Sequence, residues 1–518
     1  MIIKKDQSTI ISYFEDASGM RGAFADFAAI AENEKDISDF LIEASNKKIP
    51  VTIAAALTAN TGAGLAFGGA VLSLEKLNQI GSIQKINNQS AYIKVGAGAR
   101  LADIKDKVFK EGWLYPPDPT EKNSLIGGNI STNASGGRSF KFGSTRKYVK
   151  SLKIIFTDGS SSQIERGKYK ADSNGKISFD TDKGKKDIVL PKYKLPHIKN
   201  AAGYYNEDNA DLIDIFIGSE GTLGVIAEAD LFLIPAFKEL FGGVIFFNSQ
   251  NAAFDFAAQI KSKVSLLRHC GLDPQSHPTQ CGWSTAEIAG QARNDRGSIN
   301  PMSLEYMDKN ALDLVRPFYP QIPSKSCAAI MFEQDIYDGD NADDFLEKWL
   351  SFMQANSIDE NNIWFAQNSR EMQKFLQFRH KIPETVNEIV QKNKIPKVGT
   401  DFAVPQEHLS EIYDFCEKEF KKSGIFYLIF GHIGENHLHA NIIASNDAEF
   451  QKTRQIYEKI IEKVVKLGGT ASAEHGIGKL RHVFLEKMVG NFGLQEMSKF
   501  KKSLDPFNIL GIGNIFPQ

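Results

Sequence analysis

Three glycine-dense stretches, at residues 54–69, 116–149 and 218–226, constrain the fold of this chain more than any other feature. The first, AAALTANTGAGLAFGG, lies between two apolar strand-like runs, IPVTIA and AVLSL. The second is PPDPTEKNSLIGGNISTNASGGRSFKFGSTRKYV and the third GSEGTLGVI. Taken singly, each is compatible with a turn. Successive backbone N–H groups in such loops can also form an anion-binding nest of the kind that receives a pyrophosphate. A dinucleotide fingerprint at Gly96-Ala97-Gly98 is the obvious competitor, but Leu101 stands where its third glycine belongs. No acidic residue closes a following strand at the expected distance.

The rest of the chain supplies short mixed elements around these loops. Residues 27–57 read strand, helix, strand: FAAIA is apolar, EKDISDFLIEASNKK spaces Ile37, Phe40, Leu41 and Ala44 on one helical face, and IPVTIA is apolar again. AVLSL, AYIKVG and KIIFTDG predict further strands, and RLADIKDKVFKEG predicts a helix stopping near its glycine. At 518 residues the chain exceeds what one core can hold, so several domains are expected. The first portion runs over residues 1–235, where DLFLIP ends at a proline. Beyond it, over 236–500, GGVIFFN, PMSLEYMD, CAAIMFEQD and FYLIFGH alternate with long helical segments. This predicts an α+β arrangement with an antiparallel sheet covered by helices on one side. Residues 265–296 lack apolar period and are rich in turn formers; they resemble a translated mobile repeat and are expected to form an inserted surface loop.

Bulk properties exclude several classes of partner. With 61 basic and 63 acidic side chains the net charge is −2, which gives no footprint for nucleic acid or an acidic membrane. Cys270, Cys281, Cys327 and Cys416 show neither a CxxC pair nor metal spacing, and their scarcity suits a reducing compartment. No signal-peptide core and no run of apolar residues long enough for a span is present. The expected location is cytoplasmic, at most peripheral at the inner membrane.

In order and spacing the three glycine stretches resemble the FAD-binding (PCMH-type) oxidoreductases of the vanillyl-alcohol-oxidase superfamily, in the FAD-linked D-lactate, glycolate and D-2-hydroxyglutarate dehydrogenase branch. The resemblance implies an FAD-binding domain of two α+β subdomains, followed by an FAD-linked oxidase C-terminal domain and a tail, 501–518, packing back on the FAD domain. Carried over, Thr58, Ala59, Asn60, Thr61 and Gly62 face the pyrophosphate. Pro117, Asp118, Thr120, Gly127, Gly128, Asn129, Ser135, Gly136, Gly137 and Gly143 line the flavin, with Gly221 and Val225 at its other end. One departure stands out: the family loop reads like RGGGTSLSG, whereas Ala54 to Gly62 here read AAALTANTG. Alanine keeps the N–H donors but restricts φ. With no His or Cys in that loop, non-covalent FAD is expected.

Two histidine motifs follow, FGHIGENHLHAN (430–441) and SAEHGIGK (472–479). His437 and His439, two apart, share one face of a strand, and a turn containing Gly434 folds His432 toward them. Two imidazoles and a carboxylate suit a catalytic zinc-type site, and strand-end histidines bonded to backbone are the bland alternative. The resemblance implies that His432, His439 and Glu474 hold a divalent metal, zinc or manganese, and that His475 is the general base. Many relatives carry Asn where this chain has His437, which makes His437 a neighbour of the site. FLQFRHKIPETVNEI and KVGTDFAVP resemble the segments that bind the substrate carboxylate, implying Arg379 and Lys397, with Asn441, as substrate-binding residues. The implied activity is oxidation of a small D-2-hydroxy acid to the 2-oxo acid by hydride transfer to flavin N5, the metal polarising the substrate. The electrons then pass to a quinone, an electron-transfer flavoprotein or a cytochrome, and a homodimer is left open. Alternatives are a degenerate, non-catalytic flavoprotein, or a same-fold oxidase or synthase with another substrate.

Overall fold

The computed structural model describes residues 1–270, 298–366 and 368–517. It contains three main sheets. In the first, Phe27–Ile30, Ala70–Ser73 and Val51–Ala54 run parallel, and Ile2–Lys4 adds an antiparallel edge. A parallel connection needs a crossover, and helix Glu34–Lys47 supplies it between Phe27–Ile30 and Val51–Ala54. Asn33 caps that helix by accepting from the Asp36 amide, and Lys48 ends it in a left-handed conformation. Ile37, Phe40, Leu41 and Ala44, the face expected from periodicity, are buried.

The second sheet is antiparallel, in the order Ile80–Asn87, Ser90–Gly96, Val225–Pro235, Val149–Ile155, Ser161–Glu165. Its central strand, Val225–Pro235, comes from far along the chain and follows directly on the GSEGTLG turn, which fixes that turn at the sheet end. A two-stranded hairpin, Lys176–Thr181 with Gly184–Val189, stands apart.

The third sheet is antiparallel, in the order Ile363–Ala366, Glu239–Phe247, Ala328–Ile336, Ser303–Asp308, Phe426–His432, His437–Ile443, Val398–Gly399, with Phe402–Ala403 also paired to His437–Ile443. Helices cover both faces, not one. Val244, Phe246, Ala329 and Met331 share a core with Met372, Phe378, Ile382 and Val386 of helix Ser369–Asn393. Their strand neighbours Ile245, Phe247, Ile330 and Phe332 pack with residues of helices Ala342–Ala355, Leu409–Ser423 and Asp447–Lys466. The cause is in the strands. Ala328–Ile336 is buried at every position, so neither face can be left to water.

Helix Gln250–Cys270 runs into the segment expected to be loop from 265. Leu266, Leu267 and Arg268 are good helix formers and the first breaker is Gly271, so the helix continues to Cys270. Residues 271–297, which include Cys281, lie outside the described residues. Among the described residues no helix is long and apolar enough to cross a membrane. After helix His482–Leu504 the chain returns to the first sheet. The Val51 amide donates to the Ile509 carbonyl at 2.7 Å, the Gly511 amide donates to Val51 at 2.9 Å, and Asn514 Nδ2 donates to the Ala63 and Glu220 carbonyls.

Candidate active site: a cavity ending at a histidine–carboxylate cluster

A cavity of about 610 Å3 opens between the first two sheets and the third. One wall is the loop after strand Val51–Ala54, contributing Ala55, Ala56, Leu57, Thr58, Ala59 and Asn60. Thr120, Gly127, Gly128, Asn129, Ser135 and Gly136 form the floor, and Glu220 and Gly221 close one side. At the far end stand Lys397, Glu474 and His475.

The glycines are there for close approach. A Cβ on Gly127 would sit 2.8 Å from the Cβ of Ala97, and one on Gly136 would meet the Asp118 carbonyl at 2.0 Å. The alanines of the first loop avoid positive φ. The left-handed position falls instead on Leu57, at φ 55°. Asn129 Nδ2 is buried with no hydrogen-bond partner among the described residues, a donor aimed at a site that a polar cofactor edge would satisfy. A cavity of this size, walled by small residues and backbone donors, fits a flavin nucleotide.

Not every residue expected at the cofactor lies on the cavity. Thr61 is fully buried and its carbonyl accepts from the Lys479 amide, while Gly62 supplies a positive φ behind the loop. Asp118 is taken by ion pairs with Lys105 (2.5 Å) and Lys122, so it braces the floor from below; Pro117 precedes it off the wall. Gly143 caps the short helix Ser139–Phe142, and Val225 belongs to the core of the first sheet. Gly137 faces the other way, where a Cβ would lie 2.9 Å from Glu305 Oε1.

Beyond the cavity end, the Phe426–His432 and His437–Ile443 hairpin and the Ser472–Gly476 turn meet. His432, His437, His439 and Glu474 each offer a ligand atom, all within 4.8 Å of one another. Glu474 Oε2 lies 3.4 Å from His432 Nε2, 3.9 Å from His439 Nε2 and 4.0 Å from His437 Nδ1. Its other oxygen accepts from Ser135 Oγ at 2.6 Å and sits 3.5 Å from the Lys199 ammonium. Lys199 also pairs with Glu435 at 2.8 Å, and these carboxylates hold its pKa up although burial opposes the charge. Against the effect of its own burial, Glu305 and Glu474 push His432 up to about 9. Burial lowers His437 and His439, aided by Lys199 for the first and the neighbouring rings for the second. Buried nitrogen and carboxylate donors converging in this way fit a divalent ion.

Asp401, absent from any sequence expectation although it lies in the KVGTDFAVP segment, organises this end. It is fully buried and accepts from His437 Nε2 (2.9 Å), Ser472 Oγ (2.9 Å), the His475 amide (2.9 Å) and Arg481 Nη1 (2.6 Å). Burial would raise its pKa, but His475 and Arg481 hold it well below the carboxylate range. The predicted cations differ in their fate. Arg379 pairs with Glu305 at 3.2 Å, whereas Lys397 has no ion-pair partner among the described residues and faces the cavity with its pKa lowered by burial. Asn441 is buried on the same strand face as His437 and His439.

Comparison with known proteins decides the family. Residues 25–164 match the model for the FAD binding domain, and residues 284–515 match the model for FAD linked oxidases, C-terminal domain. The chain belongs to the FAD-linked oxidase family. This FAD-linked oxidase is 27% identical over 516 residues to the glycolate oxidase subunit GlcD of Bacillus subtilis, covering 98% of this chain and 92% of that protein. It is 26% identical to a D-lactate dehydrogenase of Anaerostipes hadrus, over 94% of this chain and 88% of the relative. In fold, it is similar to a solved alkyldihydroxyacetonephosphate synthase, with a TM-score of 0.63 at 15% identity, covering 98% of this chain and 81% of that one. An FAD-linked oxidase with this pair of domains is an FAD-dependent oxidoreductase.

Proposed function

We propose that this FAD-linked oxidase dehydrogenates a small D-2-hydroxy acid to the 2-oxo acid. The observation that carries the reading is the cavity end, where a half-buried ammonium without an ion-pair partner among the described residues (Lys397), an imidazole (His475) and the metal-competent Glu474 face one space. A 2-hydroxy acid presents a carboxylate and a hydroxyl, which find the ammonium and the imidazole there, and a carbinol hydrogen, which would leave as hydride toward the flavin cavity. The names of the glycolate and D-lactate relatives support the same substrate class.

On this reading residues 1–235 bind FAD, residues 236–500 bring substrate and metal groups, and 501–518 return to the FAD side. Lys397 binds the substrate carboxylate. Arg379, committed to Glu305, orients His432 through that carboxylate, and it reaches substrate only by releasing Glu305. His475, its amide anchored on Asp401, accepts the hydroxyl proton. Asn441 helps orient the acid across the strand face. FAD held along Ala55–Asn60 and the Gly127–Asn129 floor would supply the acceptor for the carbinol hydrogen, which leaves as hydride. A divalent ion on His432, His439 and Glu474 would supply charge that favours ionisation of the hydroxyl.

Anaerobic rapid mixing of the FAD-loaded protein with D- and L-forms of lactate, 2-hydroxyglutarate and related acids, and with glycolate, tests the proposal. Flavin absorbance should bleach with D-acids or glycolate and not with L-acids. A flavin left oxidised by every acid, or bleached equally by both enantiomers, refutes it.

A further inference from the structure

The cluster contains one histidine more than the proposed set of metal ligands, and its surroundings show what that ring is for. In each of the four side chains one polar atom is already engaged. His432 Nδ1 is bonded to Glu305, His439 Nδ1 donates to the Thr400 carbonyl at 3.1 Å, and Glu474 Oε1 accepts from Ser135. His437 is engaged in the same way at Nε2, which donates to Asp401 Oδ1 at 2.9 Å. Outer hydrogen bonds of this kind fix the tautomer and aim of a metal-binding imidazole.

The atoms left over are His432 Nε2, His439 Nε2, Glu474 Oε2 and His437 Nδ1, and these four converge. His437 is fully buried, and its Nδ1 has no hydrogen-bond partner among the described residues. The tautomer follows from chemistry. Asp401, ion-paired with Arg481, is a pure acceptor, so Nε2 carries the proton and Nδ1 presents its lone pair to the cluster. A buried acceptor without a donor is costly to leave unmade. A cation at the centre of the cluster removes that cost.

We propose that His437 is a metal ligand through Nδ1, so that this chain holds its ion with three imidazoles and one carboxylate. The proposal rests on the metal-site reading above and changes its chemistry. An added imidazole shifts preference toward zinc, cobalt or nickel and away from harder ions such as magnesium or manganese. With four protein donors an ion would keep no position free for substrate unless its coordination expanded.

The test is zinc X-ray absorption on the FAD-loaded protein, which counts imidazoles without reference to turnover, alongside chelator competition for zinc affinity. Wild type should show three imidazoles, and His437→Asn two. The variant should bind zinc more weakly than the roughly 10–100-fold loss typical of an outer partner alone. Two imidazoles in wild type, or unchanged affinity and count in the variant, overturns this assignment while leaving a metal site in place. Wild type that takes up no zinc overturns both the assignment and the metal-site reading. If the variant fails to fold, the wild-type count decides by itself.

Discussion

Asp401→Asn removes one charge and leaves the shape of the side chain, and the structure sets what this should cost. Oδ2 accepts from Ser472 Oγ, the His475 amide and Arg481, so the carboxamide oxygen must keep that side. The new amide N–H2 then faces His437 Nε2, which has to become an acceptor. The ring proton moves to Nδ1, the atom that points into the cluster. Arg481, almost fully buried, loses its counter-charge. Breaking a buried pair costs about 3–5 kcal/mol, and the retained neutral acceptor puts this case at the lower end. For a cooperative unit of a few hundred residues that is roughly 6–12 °C in Tm. Flavin-release and tryptophan fluorescence during heating report the shift, and zinc uptake should fall in parallel. The pH dependence has a definite sign. The Asp401 carboxyl lies below its unfolded value, so its stabilisation is present above the unfolded pKa and fades as pH falls from there toward the folded one. The gap between variant and wild type should therefore be full at pH 7 and shrink below about pH 4. An unchanged Tm at pH 7, or a gap that widens in acid, refutes the reasoning.

Four further outcomes are expected. Leu57→Gly removes a half-buried leucine yet should leave stability within about 1 kcal/mol, because releasing a left-handed Leu returns about 1–2 kcal/mol; a loss of 3 kcal/mol or more in chemical denaturation would sink the strain argument. Lys397→Met should raise KM for the hydroxy acid roughly 10–100-fold, the size of a charged hydrogen bond, with FAD content unchanged; an unaltered KM assigns the carboxylate elsewhere. His475→Ala should keep FAD and slow flavin reduction by roughly 10²–10⁴, the scale of general base catalysis; wild-type reduction in rapid mixing would pass the role to another group. Deletion of residues 271–296, sparing the helix that ends at Cys270, should leave flavin content and turnover within a few-fold, since loop length costs little closure free energy; loss of soluble protein would show that the segment packs into the fold.

The parts of the site that were legible in the sequence are those written as local spacing. The i, i+2 relation of His437 and His439 and the adjacent Glu474 and His475 predict shared faces and turns, and the hairpin brings the first pair to His432. The glycine stretches likewise announce close backbone approach. What stayed hidden is pairing across the fold. Glu305 sits 127 positions from His432, and Ser135 sits 339 positions from Glu474. Neither belongs to a motif with recognisable spacing, and a lone Ser or Glu in a strand carries no signal of its partner. Lys199 reads from sequence as one lysine among many, and burial between two carboxylates gives it a role. The covering of the third sheet on both faces is only partly legible: the apolar run Ala328–Phe332 asks for packing on both sides, whereas Glu333 and Asp335 are buried with it through pairing to Arg138 and Lys141, far away in the sequence.

The return of the chain to its first sheet has a consequence for the order in which the molecule can be assembled. Asn514 and its partner Ala63 are separated by 451 positions, and Ile509 bonds to Val51 in the same neighbourhood. Synthesis delivers residues in sequence order, so Val51–Ala54 emerges and finds its parallel neighbour long before the segment that covers its other edge exists. During that interval the strand presents an unpaired edge, and the loop leading into the cavity lacks the Asn514 clasp on Ala63. The earliest-made half of the molecule is thus the last to be locked.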